Sequence, residues 1–148
     1  MFSLFRKKRI MGEEIDLIHY RTYHPVLKNE VKTHYYEIVL KHTREVVGLI
    51  DLRVGMNEEL YYYGNIGYSI FVPYRGNHYA LKACRMIVSI AKELKMERII
   101  ITCNPDNIAS YKTIVGLKAN LIGVEEVPLG HAIRRQGDKE KCVFEIIL

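Results

Sequence analysis

The chain has 148 residues, 49% of them hydrophobic and 26% charged, with a formal net charge of +5. That length and apolar share fit one domain (residues 1–148) that buries its own core, and they exclude a disordered chain. The basic balance suits anionic small molecules such as nucleotides and coenzymes.

Three cysteines, Cys84, Cys103 and Cys142, contain no CxxC pair. They read as reduced core thiols, so neither a metal centre nor a disulfide framework is expected. At the N-terminus the cluster Arg6 to Arg9 follows apolar residues, the reverse of a secretory signal. Residues 1–12 read as a mobile basic arm. No run approaches the roughly 18 apolar residues of a membrane span, so a cytoplasmic chain without a membrane partner is expected.

In chain order, Ile15 to Arg21 reads as a first strand, followed by a turn or helical stretch over Pro25 to Lys32. His34 to Leu40 and Val46 to Val54 are rich in β-branched and aromatic residues, with a polar hairpin loop between them. A third strand is expected over Leu60 to Val72, with Gly64 and Gly67 marking a bulge or a close ligand approach. Alternation along it would bury half of Tyr61-Tyr62-Tyr63.

After Pro73 the period changes. Ala80, Ala83, Cys84, Ile87, Val88, Ala91 and Leu94 recur at helical spacing, which predicts an amphipathic helix from Tyr79 to Met96. Arg98 to Cys103 is a strand covered on both faces. Asp106 or Asn107 caps a second helix to about Leu117. Leu121 to Val127 and Lys141 to Leu148 are the last strands, joined by a polar loop over Pro128 to Glu140. The expected architecture is α/β: a mixed, mostly antiparallel central sheet with helices on both faces.

The chemistry-bearing stretch runs from Gly67 to Ala80, where a strand turns through a glycine-containing loop into the long helix. Free N–H groups and the helix dipole make such a helix start a site for phosphate. Gly76 allows close approach, Asn77 can turn or cap, and Arg75 adds charge. The loop is neither a GxxxxGK[ST] nor a GxGxxG motif.

Arg75-Gly76-Asn77-His78-Tyr79-Ala80 resembles the [RQ]-x-x-G-x-[GA] coenzyme A loop of the GNAT acetyltransferases. Asn107-Ile108-Ala109-Ser110 resembles the N-x-x-S signature of the family's N-terminal-acetyltransferase-like branch. Both occur in family order, and the resemblance extends loosely from Tyr35 to Leu148. It implies an N-acetyltransferase using acetyl-CoA as cosubstrate, acting on a small-molecule amine or a peptide or protein amine. A monomer or homodimer is expected, without a nucleic-acid partner.

The resemblance further implies that Arg75, Gly76, Asn77, His78, Tyr79 and Ala80 hold the pyrophosphate. Backbone groups of Ile70, Phe71 and Val72 would pair with the pantetheine arm, which Asn107 would also bond. Ser110 would protonate the leaving thiolate, with Tyr111 as the alternative donor. His78 replaces a loop glycine, and Ile114 stands where many members carry a tyrosine. Those departures favour the rival reading, a non-catalytic domain that binds coenzyme A as a sensor. For the general base, Glu37, Glu58, Glu59 and His78 stay open.

Overall fold

Alternating apolar residues make the N-terminal half a meander of antiparallel strands. The computed structural model describes residues 8–148. Its first sheet contains β1 (Arg9–Met11), β2 (Ile15–Tyr23), β3 (Lys32–Leu40), β4 (Val46–Val54) and β5 (Ile66–Ile70), hydrogen-bonded in that order. Every neighbouring pair is antiparallel. Ile15, Leu17, Ile38, Ile50 and Leu52 are buried on one face, as a two-residue period requires.

Strand β5 leads through a 3-10 turn (Val72–Tyr74) into α2 (Tyr79–Glu93); α1 (Glu58–Tyr63) precedes β5. Helix α2 buries Ala83, Cys84, Ile87, Ile90 and Ala91 in one core with the inward face of the first sheet. Full burial of an isoleucine among them is worth about 1.5–3 kcal/mol.

The chain continues through β6 (Arg98–Cys103), α3 (Ile108–Gly116), β7 (Asn120–Glu126), α4 (Ala132–Arg135) and β8 (Glu140–Ile147). The three strands form an antiparallel sheet in the order β6-β8-β7. Ile99, Ile101 and Cys103 join the core with α2. The intervening Thr102 turns the other way and donates to the Tyr62 carbonyl at 2.9 Å, which sets α1 on the opposite face.

Several expectations need correction. The central sheet is two sheets, because the ladder breaks between β5 and β6. They meet where Asn65 N–H donates to the Ile100 carbonyl at 2.6 Å. The expected strand over Leu60 to Val72 is α1 followed by β5. The Asn57 side chain accepts from Leu60 N–H, Glu58 and Glu59 favour the positive helix start, and Gly64 at φ +80° ends the helix. Gly67 is required for space: a Cβ there would lie 2.8 Å from Asp51 Oδ1 and 2.7 Å from an Arg53 nitrogen.

The stretch from Pro25 to Lys32 is irregular, organised by Glu30, whose carboxylate accepts from Val26 and Leu27 N–H and from the Tyr23 hydroxyl. The polar loop before β8 contains α4, capped by His131 Nδ1. Of the expected basic arm, residues 1–7 lie outside the described residues, while Arg9–Met11 is an edge strand. Arg9 Nε donates to the buried Asp16 carboxylate at 2.7 Å. All three cysteines are free and buried, with Cys103 and Cys142 opposite one another in the β6–β8 register.

Candidate active site

The loop between β5 and α2 is built to present backbone N–H groups. Gly76 has φ +87° and His78 has φ +60°, two left-handed residues that turn successive amides outward. Among the described residues, the amides from Gly76 to Ala80 have no protein acceptor. A Cβ at Gly76 would meet nothing within 4 Å, so the concavity is open. His78 occupies the N-cap of α2 without a side-chain cap bond. Asn77 Nδ2 instead folds back onto the Tyr74 carbonyl at 2.9 Å. Free amides at the start of a fifteen-residue helix, with Arg75 beside them, suit a pyrophosphate.

Arg75 Nε donates to the Ile70 carbonyl at 2.9 Å, tying the loop to β5. Phe71 N–H donates to the Val47 carbonyl at 2.9 Å, and the Asn65 carbonyl accepts from Arg53 N–H. Odd-numbered residues of β5 therefore face β4, and Tyr68 and Ile70 turn their backbone groups to the open side. Of the three residues assigned to the pantetheine arm, Ile70 has its N–H on that side while its carbonyl accepts from Arg75. Phe71 N–H is bonded to β4, and Val72 lies in the 3-10 turn, its carbonyl accepting from Arg75 N–H at 3.3 Å.

Across the open side lies α3. Asn107 Oδ1 caps it by accepting from Ser110 N–H at 3.1 Å, leaving Nδ2 for a ligand. Ser110 Oγ is 2.9 Å from the Tyr68 hydroxyl. Burial raises the Tyr68 phenol above its ordinary range, against the pull of its bonds to Ser110 and Thr113. Tyr111 points elsewhere: its ring packs edge-on against buried Phe144, centroids 5.4 Å apart. Ile114 is wholly buried. Of the two donors considered, the geometry brings Ser110 to the cleft and leaves Tyr111 in the core.

Tyr68 and Ser110 share a cavity of about 240 Å³ with Arg53, Tyr62, Asp138 and Lys141. Arg53 Nε lies 3.1 Å from Asp51 Oδ2, while burial still pushes the Asp51 carboxyl upward. Asp138 is the carboxylate lining this cavity among the described residues. It accepts from Asn104 Nδ2 at 2.9 Å and lies 3.4 Å from Lys141 Nζ. Glu58 and Glu59 line a neighbouring cavity beside α1, Glu37 belongs to β3, and His78 is at the coenzyme loop. None of these base candidates lines the Ser110 cavity.

Sequence reasoning missed Tyr68, Asn65 and Asp138. Tyr68 had a usable signal, since it is one residue from Gly67 on the strand that leads into the loop. Asp138 had none, because a polar residue in a polar loop stands out only once α4 and Asn104 place it.

A family model described as an acetyltransferase (GNAT) domain matches residues 10–117. No curated protein shows significant sequence similarity to the chain. Among solved structures, a GNAT-family acetyltransferase from Bacillus anthracis is 24% identical, covers 76% of this chain and has a TM-score of 0.62. The chain spans 65% of that protein, less than two thirds of its length. RimL, a ribosomal L7/L12 alpha-N-protein acetyltransferase, is 13% identical over 95% of this chain and 94% of its own, with a TM-score of 0.67. The microcin C7 self-immunity acetyltransferase MccE, solved with acetyl-CoA and AMP, is 17% identical over 78% of this chain and 61% of its own, with a TM-score of 0.57. Among the described residues no helix is long and apolar enough to cross a membrane, which says nothing of a β-barrel.

Proposed function

This chain belongs to the GNAT acetyltransferase family, and from that premise we propose that it acetylates the α-amino group of a polypeptide using acetyl-CoA. The observation that carries the chemistry is the placement of Tyr68, Ser110 and Asp138 around one cavity at the open edge of β5. The protein-amine reading is supported by the fold shared with RimL, whose own acceptor is a ribosomal protein.

Acetyl-CoA supplies the acetyl group as a thioester. The amides from Gly76 to Ala80, with Arg75, would hold its pyrophosphate, and the outward backbone groups of Tyr68 with the N–H of Ile70 would pair with the pantetheine arm. Asn107 Nδ2 would add a hydrogen bond. Ser110 donates a proton to the leaving sulfur, a task for which a neutral hydroxyl is suited. Asp138 receives the proton that an incoming ammonium must lose before it can act as a nucleophile.

Two measurements test this. Millimolar acetyl-CoA should raise the melting temperature by mass action, with the shift abolished by Arg75→Glu and retained by Lys95→Glu, a matched charge change outside the loop. Thiol release should then appear with peptides bearing a free N-terminus and be absent with the same peptides N-blocked. A thermal shift without thiol release on any amine would favour the sensor reading.

A further inference from the structure

Resting on the assignment of Ser110 as the proton donor, we propose that Tyr68 is its relay partner: the phenol recharges the serine and returns the acceptor's proton to it. The inference stands on the 2.9 Å contact between Tyr68 Oη and Ser110 Oγ across the gap between β5 and α3. Strand β5 fixes the ring from one side, since Tyr68 pairs with Ile50 and packs on the core. Helix α3 fixes the serine from the other, through the Asn107 cap. Two side chains from different elements thus meet inside the cavity expected to receive the reacting groups.

A lone serine is poorly suited to this work, because an alkoxide left behind in a half-buried site is costly. The partner removes that cost. As the C–S bond breaks, Ser110 O–H gives its proton to sulfur and the S–H bond forms. Tyr68 O–H reprotonates Ser110, and the phenolate takes the proton released by nitrogen as the C–N bond forms. One proton passes from nitrogen to sulfur and both hydroxyls end as they began. The surroundings of Tyr68 favour a transient phenolate at most. Burial opposes it, the Cys84 and Cys103 thiols lie beside the phenol, and Thr113 is a second hydroxyl partner. The charged groups that share its cavity are Arg53, Asp138 and Lys141.

Tyr68 is therefore a catalytic residue that works with Ser110, and its test separates proton transfer from folding. Tyr68→Phe should lower kcat by about tenfold or more, with KM for acetyl-CoA unchanged. Replacing the donor's sulfur with selenium should restore most of the loss in Ser110→Ala and the leaving-group part of the loss in Tyr68→Phe, because a selenolate departs without a proton. Independently of turnover, the ring-carbon NMR signal of Tyr68, identified by its loss in Tyr68→Phe, should move in ligand-free Ser110→Ala. An unchanged kcat, an equal loss with both donors, or a Tyr68 signal indifferent to Ser110→Ala overturns the relay. If Ser110→Ala also leaves turnover intact, the parent assignment of the serine falls. A wild-type chain that releases no thiol overturns the proposed reaction, and the relay with it.

Discussion

The side chain of Asn65 reads the backbone of β6. Its Oδ1 accepts from Ile100 N–H at 2.8 Å, while its own N–H donates to the Ile100 carbonyl at 2.6 Å. Its Nδ2 reaches back to the carbonyls of Arg53 and Gly55 at 2.9 and 2.8 Å. At 1% exposure Asn65 is sealed from water. Asn65→Ala strands the buried Ile100 N–H, at about 1–3 kcal/mol, and also removes the bonds to the carbonyls of half-buried Arg53 and exposed Gly55. We expect a loss of about 2 kcal/mol or more in denaturant unfolding. A loss below about 1 kcal/mol would mean that the two sheets hold together without this residue.

At the coenzyme loop, His78 adopts φ +60°, a region that costs a side-chain-bearing residue about 1–2 kcal/mol. Glycine relieves that strain and gives back roughly 0.5–1 kcal/mol through its flexible unfolded chain. His78→Gly should therefore leave the melting temperature level or slightly raised, and preserve coenzyme binding. The imidazole is exposed and lines no part of the Ser110 cavity, so turnover should persist. A fall on the order of 100-fold with unchanged coenzyme affinity would show that the ring acts as a base.

Asp138→Asn is close to isosteric and can still accept from Asn104. The pair it loses with Lys141 is partly exposed, so the stability cost should stay within about 1 kcal/mol. Turnover should fall on the order of 100-fold near neutral pH and recover as rising pH deprotonates the amine in solution. The pH–rate profiles of the two proteins, recorded with one accepted peptide, decide the point. Superimposable profiles would mean that the amine loses its proton to water.

Asp16 offers a stability prediction with a defined sign. Burial pushes its carboxyl upward, but the Arg9 and Gly12 hydrogen bonds and the charges of Arg9 and Lys41 outweigh it and hold the group below its ordinary value. A carboxyl depressed in the folded state adds stability that is complete above the unfolded value of about 3.9. That contribution drains away as pH falls through the lower folded value. Asp16→Asn should cost about 3 kcal/mol at neutral pH by leaving the Arg9 pair broken, and should flatten this part of the acid limb. Acid titrations of the melting temperature for both proteins test it. Equal slopes below pH about 4 would contradict the assignment.

Much of this molecule was legible wherever local rules and tertiary demands agree. Helix α2 follows from its period, α3 from Asn107, and the first hairpin from alternation. The loop from Arg75 to Ala80 was legible because a strand, a glycine and a long helix follow one another in sequence. Helix α1 was not, since Tyr61-Tyr62-Tyr63 favours strand and only the Asn57 cap and the contact of α1 with Thr102 tip it to helix. The fate of Phe71 could not be read either, because which amides face β4 depends on register. Tyr111 and Ser110 are adjacent, and what separates them is Phe144, thirty-odd residues downstream.

The break in the backbone ladder between β5 and β6 also has a dynamic meaning. Proteins open locally in contiguous cooperative units, and here the two sheets are joined by the Asn65 bonds and by one shared core, with no ladder between them. Cys84 of α2, Cys103 of β6 and Cys142 of β8 all lie in that core. Equal rates of thiol alkylation under native conditions would therefore mean that the core opens as one unit, and a slower Cys84 would mean that the β6–β8 pair loosens first.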